Sequence, residues 1–370
     1  MAVRDLNRRV SKNGVLANAV AVLLLSLALQ SEAVADHNTT NEPYNSGWSL
    51  QVDNDLFAAT NEDQNYTGGF AVTLSGRRAL EYALTPEKLR SAAGSWLGLN
   101  SYLQNQPHHS VHALEWGAAL FTPSDISRRT LNPEDRPYAS LFFLNSTEQV
   151  ILPAKKMSVK SSFTVGLLGF DLAETLQRSF HGAIGSEKPE GWRHQISSGG
   201  ELTAKYGLSM QRALYQQAYA SGLAQELNWT AKGDLGFTTG IGVGVNWRFG
   251  RINTPWWSFN PHQSDYFNLG ANVASGQALD SRIKERYVYA GSTFNYTAYN
   301  AFTQGQFRSS AHTVDSSDVV KASAEVWGGF TTDISENIRI DVFVRARTKD
   351  VDLQESRELA WGGLTISRRL

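Results

Sequence analysis

Cysteine is absent from the 370 residues, so neither disulfides nor thiolate metal sites hold this chain together. An excess of one charge is also lacking. The 34 basic and 35 acidic side chains leave a formal net charge of −1, which gives no support to nucleic-acid binding. Beyond residue 35 no apolar run approaches the roughly 18 residues that a membrane-spanning helix needs. No G-x-S-x-G nucleophile elbow occurs either, so a serine acyl-enzyme has no motif behind it.

What is present begins with a basic segment (Arg4, Arg8, Arg9, Lys12), the apolar run GVLANAVAVLLLSLAL, and Ala33-Val34-Ala35 before Asp36. That order predicts a secretory signal peptide over residues 1–35, cleaved after Ala35, with an N-terminal membrane anchor as the less favoured alternative. The leader carries four basic and two acidic side chains, which takes the formal −1 of the whole chain to −3 for residues 36–370.

The remainder is rich in aromatics, with 10 Trp, 13 Tyr and 17 Phe in the whole chain, and breaks into alternating segments of about ten residues. Candidate strands start near Trp48, Tyr66, Ser110, Pro137, Met157, Leu202, Leu223, Gly236, Arg286, Val319, Ile338 and Glu358. The expected fold is all-β, a transmembrane antiparallel barrel of about twelve strands. In the second strand Phe70, Val72 and Leu74 share a face suited to lipid, and Thr67, Gly69, Ala71, Thr73 and Ser75 share a face suited to a polar interior.

With an even strand count and both termini in the periplasm, residues 56–65, 122–136, 170–200, 231–235, 298–318 and 349–356 become outer connections. Two inner connections, 77–109 and 250–284, are longer than the usual periplasmic turn. The first contains LTPEKLRSAAGSWLGL, a candidate short amphipathic helix. The second contains Pro255-Trp256-Trp257, expected as an interfacial aromatic anchor. In the third outer connection, Asp171 with Glu174 resembles a capping box, Leu172, Leu176, Phe180 and Ile184 recur at helical spacing, and Gly185 can end the helix. A short helix over 171–185 is therefore expected, able to cover one mouth of the barrel.

The stretch QVDNDLFAATNEDQNYTGG, ending strand one and opening strand two, gathers oxygen donors at the outer end. Asn54, Asp55 and Thr67 could supply part of a hard-cation site such as one for Ca²⁺. In a regular strand Asn54 and Asp55 point to opposite faces, so a bulge or a strand end is required there. Taken singly, each is more often a solvated turn residue. The same parity brings Arg128 and His181 to that end. A lone histidine on a loop helix is more often surface decoration than a base. Its near-neutral pKa nonetheless suits activation of water.

The segments NDLF with NYTGGF, TPSDISRR, DRPYAS, LQRSFHGAIGSEKPEGWRHQI and the weaker FTQGQF and HTVD resemble the outer-membrane lipid A 3′-O-deacylase family over most of residues 36–370. The resemblance implies a twelve-stranded barrel in the Gram-negative outer membrane, its active site toward the outer leaflet. The implied activity is calcium-dependent removal of the 3′-position acyloxyacyl chain of lipid A. It places the family's Asn-Asp pair on Asn54 and Asp55, its threonine on Thr67, its histidine on His181 and its basic residue, a lysine elsewhere, on Arg128 or Arg129. His181 then acts as general base on water, with a metal at Asn54, Asp55 and Thr67. The expected partners are lipopolysaccharide and outer-membrane lipids, with the chain a monomer. The competing expectations are a non-catalytic porin or binding barrel, and a barrel phospholipase with a serine nucleophile.

Overall fold

A chain that must cross a membrane without long apolar helices has to satisfy its backbone between strands, and a closed sheet does so without leaving an edge. The computed structural model shows that closure. It describes residues 42–58, 65–103, 106–184, 188–261 and 283–370, with 56, 58, 65, 100 and 180–184 as backbone alone. The expected signal peptide at 1–35 lies outside the described residues.

The strands are β1 (Gly47–Asn54), β2 (Asn65–Ser75), β3 (His109–Thr122), β4 (Ala139–Leu152), β5 (Met157–Leu168), β6 (Glu201–Ala218), β7 (Ala224–Gly236), β8 (Thr238–Arg251), β9 (Arg286–Asn300), β10 (Ala322–Asp333), β11 (Ile338–Arg347) and β12 (Leu359–Arg369). Each pairs antiparallel with its neighbour in sequence, and β1 closes on β12 from Gly47↔Arg369 to Asn54↔Gly362. The helices are α1 (Glu87–Trp96), α2 (Leu99–Leu103), α3 (Leu172–Ile184) and the single turn α4 (Ala301–Gln304). The start of β1 and the end of β12 share one end of the barrel, here the terminal end; the opposite end is distal.

Alternation decides which side chains meet which medium. On β8, Ile241, Val243, Val245 and Trp247 are exposed, whereas Asn246 and Arg248 are buried. On β7, Glu226, Asn228 and Thr230 are buried on the same inner surface. The outer wall is thus apolar and the interior polar, as expected for a barrel in lipid.

The interior is filled. The connection after β8 turns into the terminal half of the lumen. There Arg248 donates to the Thr254 carbonyl at 2.9 Å, Gln211 donates to the Phe259 carbonyl at 2.8 Å, and Arg345 donates to the Pro261 carbonyl at 2.6 Å. Buried ion pairs surround this segment, among them Arg248–Glu226 at 2.6 Å and Arg345–Glu325 at 2.7 Å. Trp257 packs against Val111 and Ile151 inside the wall, so the expected interfacial anchor is corrected to part of a plug. Its carbonyl, held by Gln149 at 2.9 Å, explains the inward course. The distal half is closed by Tyr66, Phe121, Phe143, Phe237, Phe302 and Trp361, with Phe121 and Phe302 stacked at 4.5 Å between centroids. Phe302 is delivered by α4, which Asn300 caps by accepting from the Phe302 backbone N–H at 3.0 Å.

Most strand starts fall within two residues of the expected ones. The exceptions have local causes. β10 begins at Ala322 rather than Val319, because Val319 is taken by an isolated bridge to Val351. The fourth distal connection is Phe237 alone rather than 231–235, since Phe237 turns into the core and the β7 ladder runs on to Gly236. The helix expected at 171–185 is α3, but it does not cover the mouth. It lies against the outside of the wall, where Ala173 packs with Tyr138, Trp192 and Leu120.

Candidate active site

β1 ends at Asn54, and Asp55 opens a 3-10 turn over Asp55–Ala58, so the strand end required by the sequence is present. Across from it, β2 carries a β-bulge between Tyr66 and Gly68, where its register on β3 shifts by one residue. A bulge leaves one residue out of the ladder and turns the strand. Tyr66 keeps the interior side and its ring joins Phe121 and Trp361, while Thr67 joins the cavity on the outer wall. The expected grouping of Thr67 with the interior face of β2 is corrected by this bulge.

Asn54 Nδ2 donates to the Thr67 backbone carbonyl across the strand pair. The Thr67 hydroxyl lies 2.6 Å from that of Thr122 on β3. Gly68 permits the approach: its φ is +144°, and a Cβ there would strike the Asp53 carbonyl. One residue inward, Asp53 accepts from Gln51 at 2.8 Å and from the Tyr66 hydroxyl, tying β1 to β2 beneath the site. Asn54, Asp55 and Thr67 are all buried.

Asn54 and Thr67 border a cavity of about 200 Å³ on the outer wall, lined also by Val52, Asp53, Phe70 and Leu120 together with Leu176 and Gln177 of α3, and Asp55, one residue on, is not part of that lining. The lining is mostly apolar, with oxygen donors at one end. Gln177 is buried and accepts from Trp192 Nε1 at 2.6 Å, which holds the helix at its distance from the wall. Leu172 and Leu176, from the expected apolar stripe, are exposed, and the seated face is Ala173 and Gln177 instead. The helix backbone continues through His181, one turn beyond Gln177, and the His181 side chain lies outside the described residues.

Arg128 is not part of that cavity. It lines a crevice of about 20 Å³ with Asp125, Asn132, Tyr138, His194 and His312, and its Nε donates to Thr130 Oγ1 at 3.2 Å. Arg129 extends toward Glu190 at 3.4 Å. Thr122 carried no signal as a site residue in the sequence, because only the β2–β3 pairing brings its hydroxyl beside Thr67.

Among the described residues no group of three or more His, Asp or Glu side chains is arranged to hold a metal. The donors at this site are of another kind, a carboxylate, an amide, a hydroxyl and backbone carbonyls, and their all-oxygen chemistry fits a hard cation such as Ca²⁺. The glycine cradle at Gly68 leaves the Asn54–Thr67 edge unobstructed.

The profile of the family described as outer membrane protein LpxR matches residues 19–370. The chain belongs to the LpxR family. It is therefore an outer-membrane protein, and the lipid A deacylase family indicated by its motifs is the one shown. LpxR from Salmonella typhimurium superposes with a TM-score of 0.65 at 16% identity, over 88% of this chain and 100% of that one, which establishes the shared fold. The β domain of the Bordetella autotransporter BrkA aligns over 88% of this chain and 99% of that one, at 7% identity and a TM-score of 0.39. The COG4313 outer-membrane channel from Pseudomonas putida F1 aligns over 91% and 100%, at 9% and 0.39. These last two similarities are too low to bear on the LpxR-family chain's function. No curated protein sequence matches it.

Proposed function

We propose that this LpxR-family protein hydrolyses the ester that holds the 3′-position acyloxyacyl chain of lipid A, with its site toward the outer leaflet. The observation that carries the proposal is the position of the cavity. It opens on the lipid-facing wall, is apolar over most of its lining, and ends at Asn54 and Thr67. A substrate embedded by its acyl chains can bring an ester to such a place without leaving the leaflet.

In this proposal His181, one turn beyond Gln177, takes a proton from water as the oxygen bonds to the ester carbonyl carbon. The ester C–O bond then breaks, and the proton passes to the departing sugar oxygen, leaving a free carboxylic acid and a hydroxyl. Asn54, Asp55 and Thr67 would hold Ca²⁺. When bound, the ion polarises the ester carbonyl and stabilises negative charge on its oxygen. Gln177, fixed by Trp192, sets the separation between helix and wall. Arg128 contacts a lipid A phosphate at the distal rim.

Mass spectrometry of lipid A incubated with purified protein tests this. The expected product lacks the mass of the 3′ acyloxyacyl group, and His181→Ala slows its formation by about 10²- to 10⁴-fold. Chelation of divalent cations stops the reaction and added Ca²⁺ restores it. Undiminished turnover by His181→Ala removes the base from the mechanism; full activity in excess chelator, with metal absence verified by elemental analysis, removes calcium. An unchanged lipid A spectrum with wild-type protein and Ca²⁺ refutes the reaction itself.

A further inference from the structure

The connection between β2 and β3 carries α1 and α2, and it does not hang below the barrel as a periplasmic turn would. It climbs the outer wall. Leu103 packs with Val150, Leu152, Met157 and Val159, and a Cβ built at Gly94 would lie 3.5 Å from the Tyr206 hydroxyl. By strand parity these wall positions share the outward face with the exposed Phe142, Leu167 and Leu202. Arg90 of α1 reaches Ser161, the fifth of twelve residues in β5. At 3.3 Å per residue and a strand tilt near 40°, that contact is about 10 Å above the terminal end of the strand.

Two local anomalies meet there. The wall beneath α1 is polar where lipid-facing positions should be apolar, with Ser146, Glu148 and Ser161 on its outward side. The helix is correspondingly reversed. Its charged face points to the protein, where Arg90 donates to Ser161 Oγ at 2.6 Å and pairs with Glu148 at 2.8 Å, and Glu87 accepts from Ser146 Oγ at 2.7 Å. Its apolar face points away: Leu89 and Leu97 are each 51% exposed and Trp96 is 83% exposed. A surface helix in water carries the opposite arrangement. At the rim, Lys155 lies 5.0 Å from the centroid of the Tyr102 ring, the pairing of cation and aromatic side chain typical of a membrane interface.

We propose that residues 82–103 form a lipid-embedded cover, which seals a polar strip of the barrel wall and presents Leu84, Leu89, Trp96 and Leu97 to the acyl chains of the leaflet at the terminal end. Bilayer lipid is the occupant of this face, because the face continues the apolar outer wall at the same depth. The polar strip and the reversed helix account for each other: uncovered, Glu148, Ser146 and Ser161 would face hydrocarbon, and Arg90 and Glu87 of α1 find their partners on that strip.

The absence of cysteine allows single labels to be placed in the full-length protein. Leu89→Cys, Trp96→Cys and, in the turn between β10 and β11, Glu336→Cys are spin-labelled and reconstituted separately in phospholipid nanodiscs. Labels at 89 and 96 are expected to show an oxygen-to-nickel-chelate accessibility ratio roughly tenfold above that at 336, since oxygen concentrates in the acyl region where an embedded helix face lies. Ala92→Cys, a smaller change in the same helix, repeats the measurement if Trp96→Cys does not fold. Ratios at 89 and 96 equal to that at 336 place the helix in water and overturn the proposal. Shielding in native outer membranes that disappears in nanodiscs assigns the face to a protein partner and overturns it equally.

Discussion

The bulge in β2 sets Thr67 outside the ladder while Tyr66 keeps its ring in the interior, so adjacent residues serve the site and the core. Alternation alone would have put the Thr67 hydroxyl inside, away from Asn54. Arg128 is the counterexample at this scale, since sequence parity brought it to the distal end and the fold set it in a crevice apart from the cavity. A lipid A headgroup is broad, and a guanidinium at the rim can bind a phosphate through two parallel hydrogen bonds while the ester lies elsewhere. Arg128→Ala is therefore expected to lower kcat/KM on lipid A by roughly tenfold or more, with barrel stability unchanged. An equal loss in Arg129→Ala alone moves the contact one residue along. Unaltered kinetics in both single variants and in the double variant leaves the loop without a part in recognition.

Helix α3 forms because its sequence is a good helix, with Glu174 and Arg178 paired at 2.8 Å one turn apart. Where it sits is decided by a different segment. Trp192, on the 3-10 turn that follows, is buried against Tyr138 at 4.9 Å between ring centroids and donates to Gln177. Trp192→Phe removes the donor and keeps most of the packing, a loss of about 1 kcal/mol. Because that hydrogen bond fixes the helix over the cavity, kcat/KM is expected to fall by up to about tenfold, with little change in the urea midpoint of the barrel. Wild-type kinetics in Trp192→Phe would show that packing against Tyr138 alone positions the helix.

At the scale of the molecule, the filled lumen argues against the porin that the strand pattern equally allows. A porin needs a water-filled path, whereas here the terminal half holds the 252–261 segment with its ion pairs and the distal half holds aromatic side chains. Purified protein in planar bilayers is expected to show no steady single-channel conductance. A stable ohmic conductance from the wild-type chain would revive the channel reading.

Strand number, strand starts and the existence of α3 were legible in the sequence because a period of two and a period of 3.6 are local properties, imposed by lipid on one side of each element and protein on the other. The nearness of Asn54 to Thr67 was legible too, since the two residues flank a single hairpin. The sequence did not reveal which side of the wall the long segments take. Residues 252–261 turn inward because buried Arg248, Gln211 and Arg345 lie in wait for their carbonyls, from strands distant in the chain. The helix α1 lies outside where Glu148 and Ser161, brought together by the β4–β5 register, meet Arg90. The cavity lies between the wall and α3, whose Gln177 is held by Trp192 from a different segment. Periodicity tells a residue which face of its own element it occupies, and only the closure of twelve strands decides what stands opposite that face.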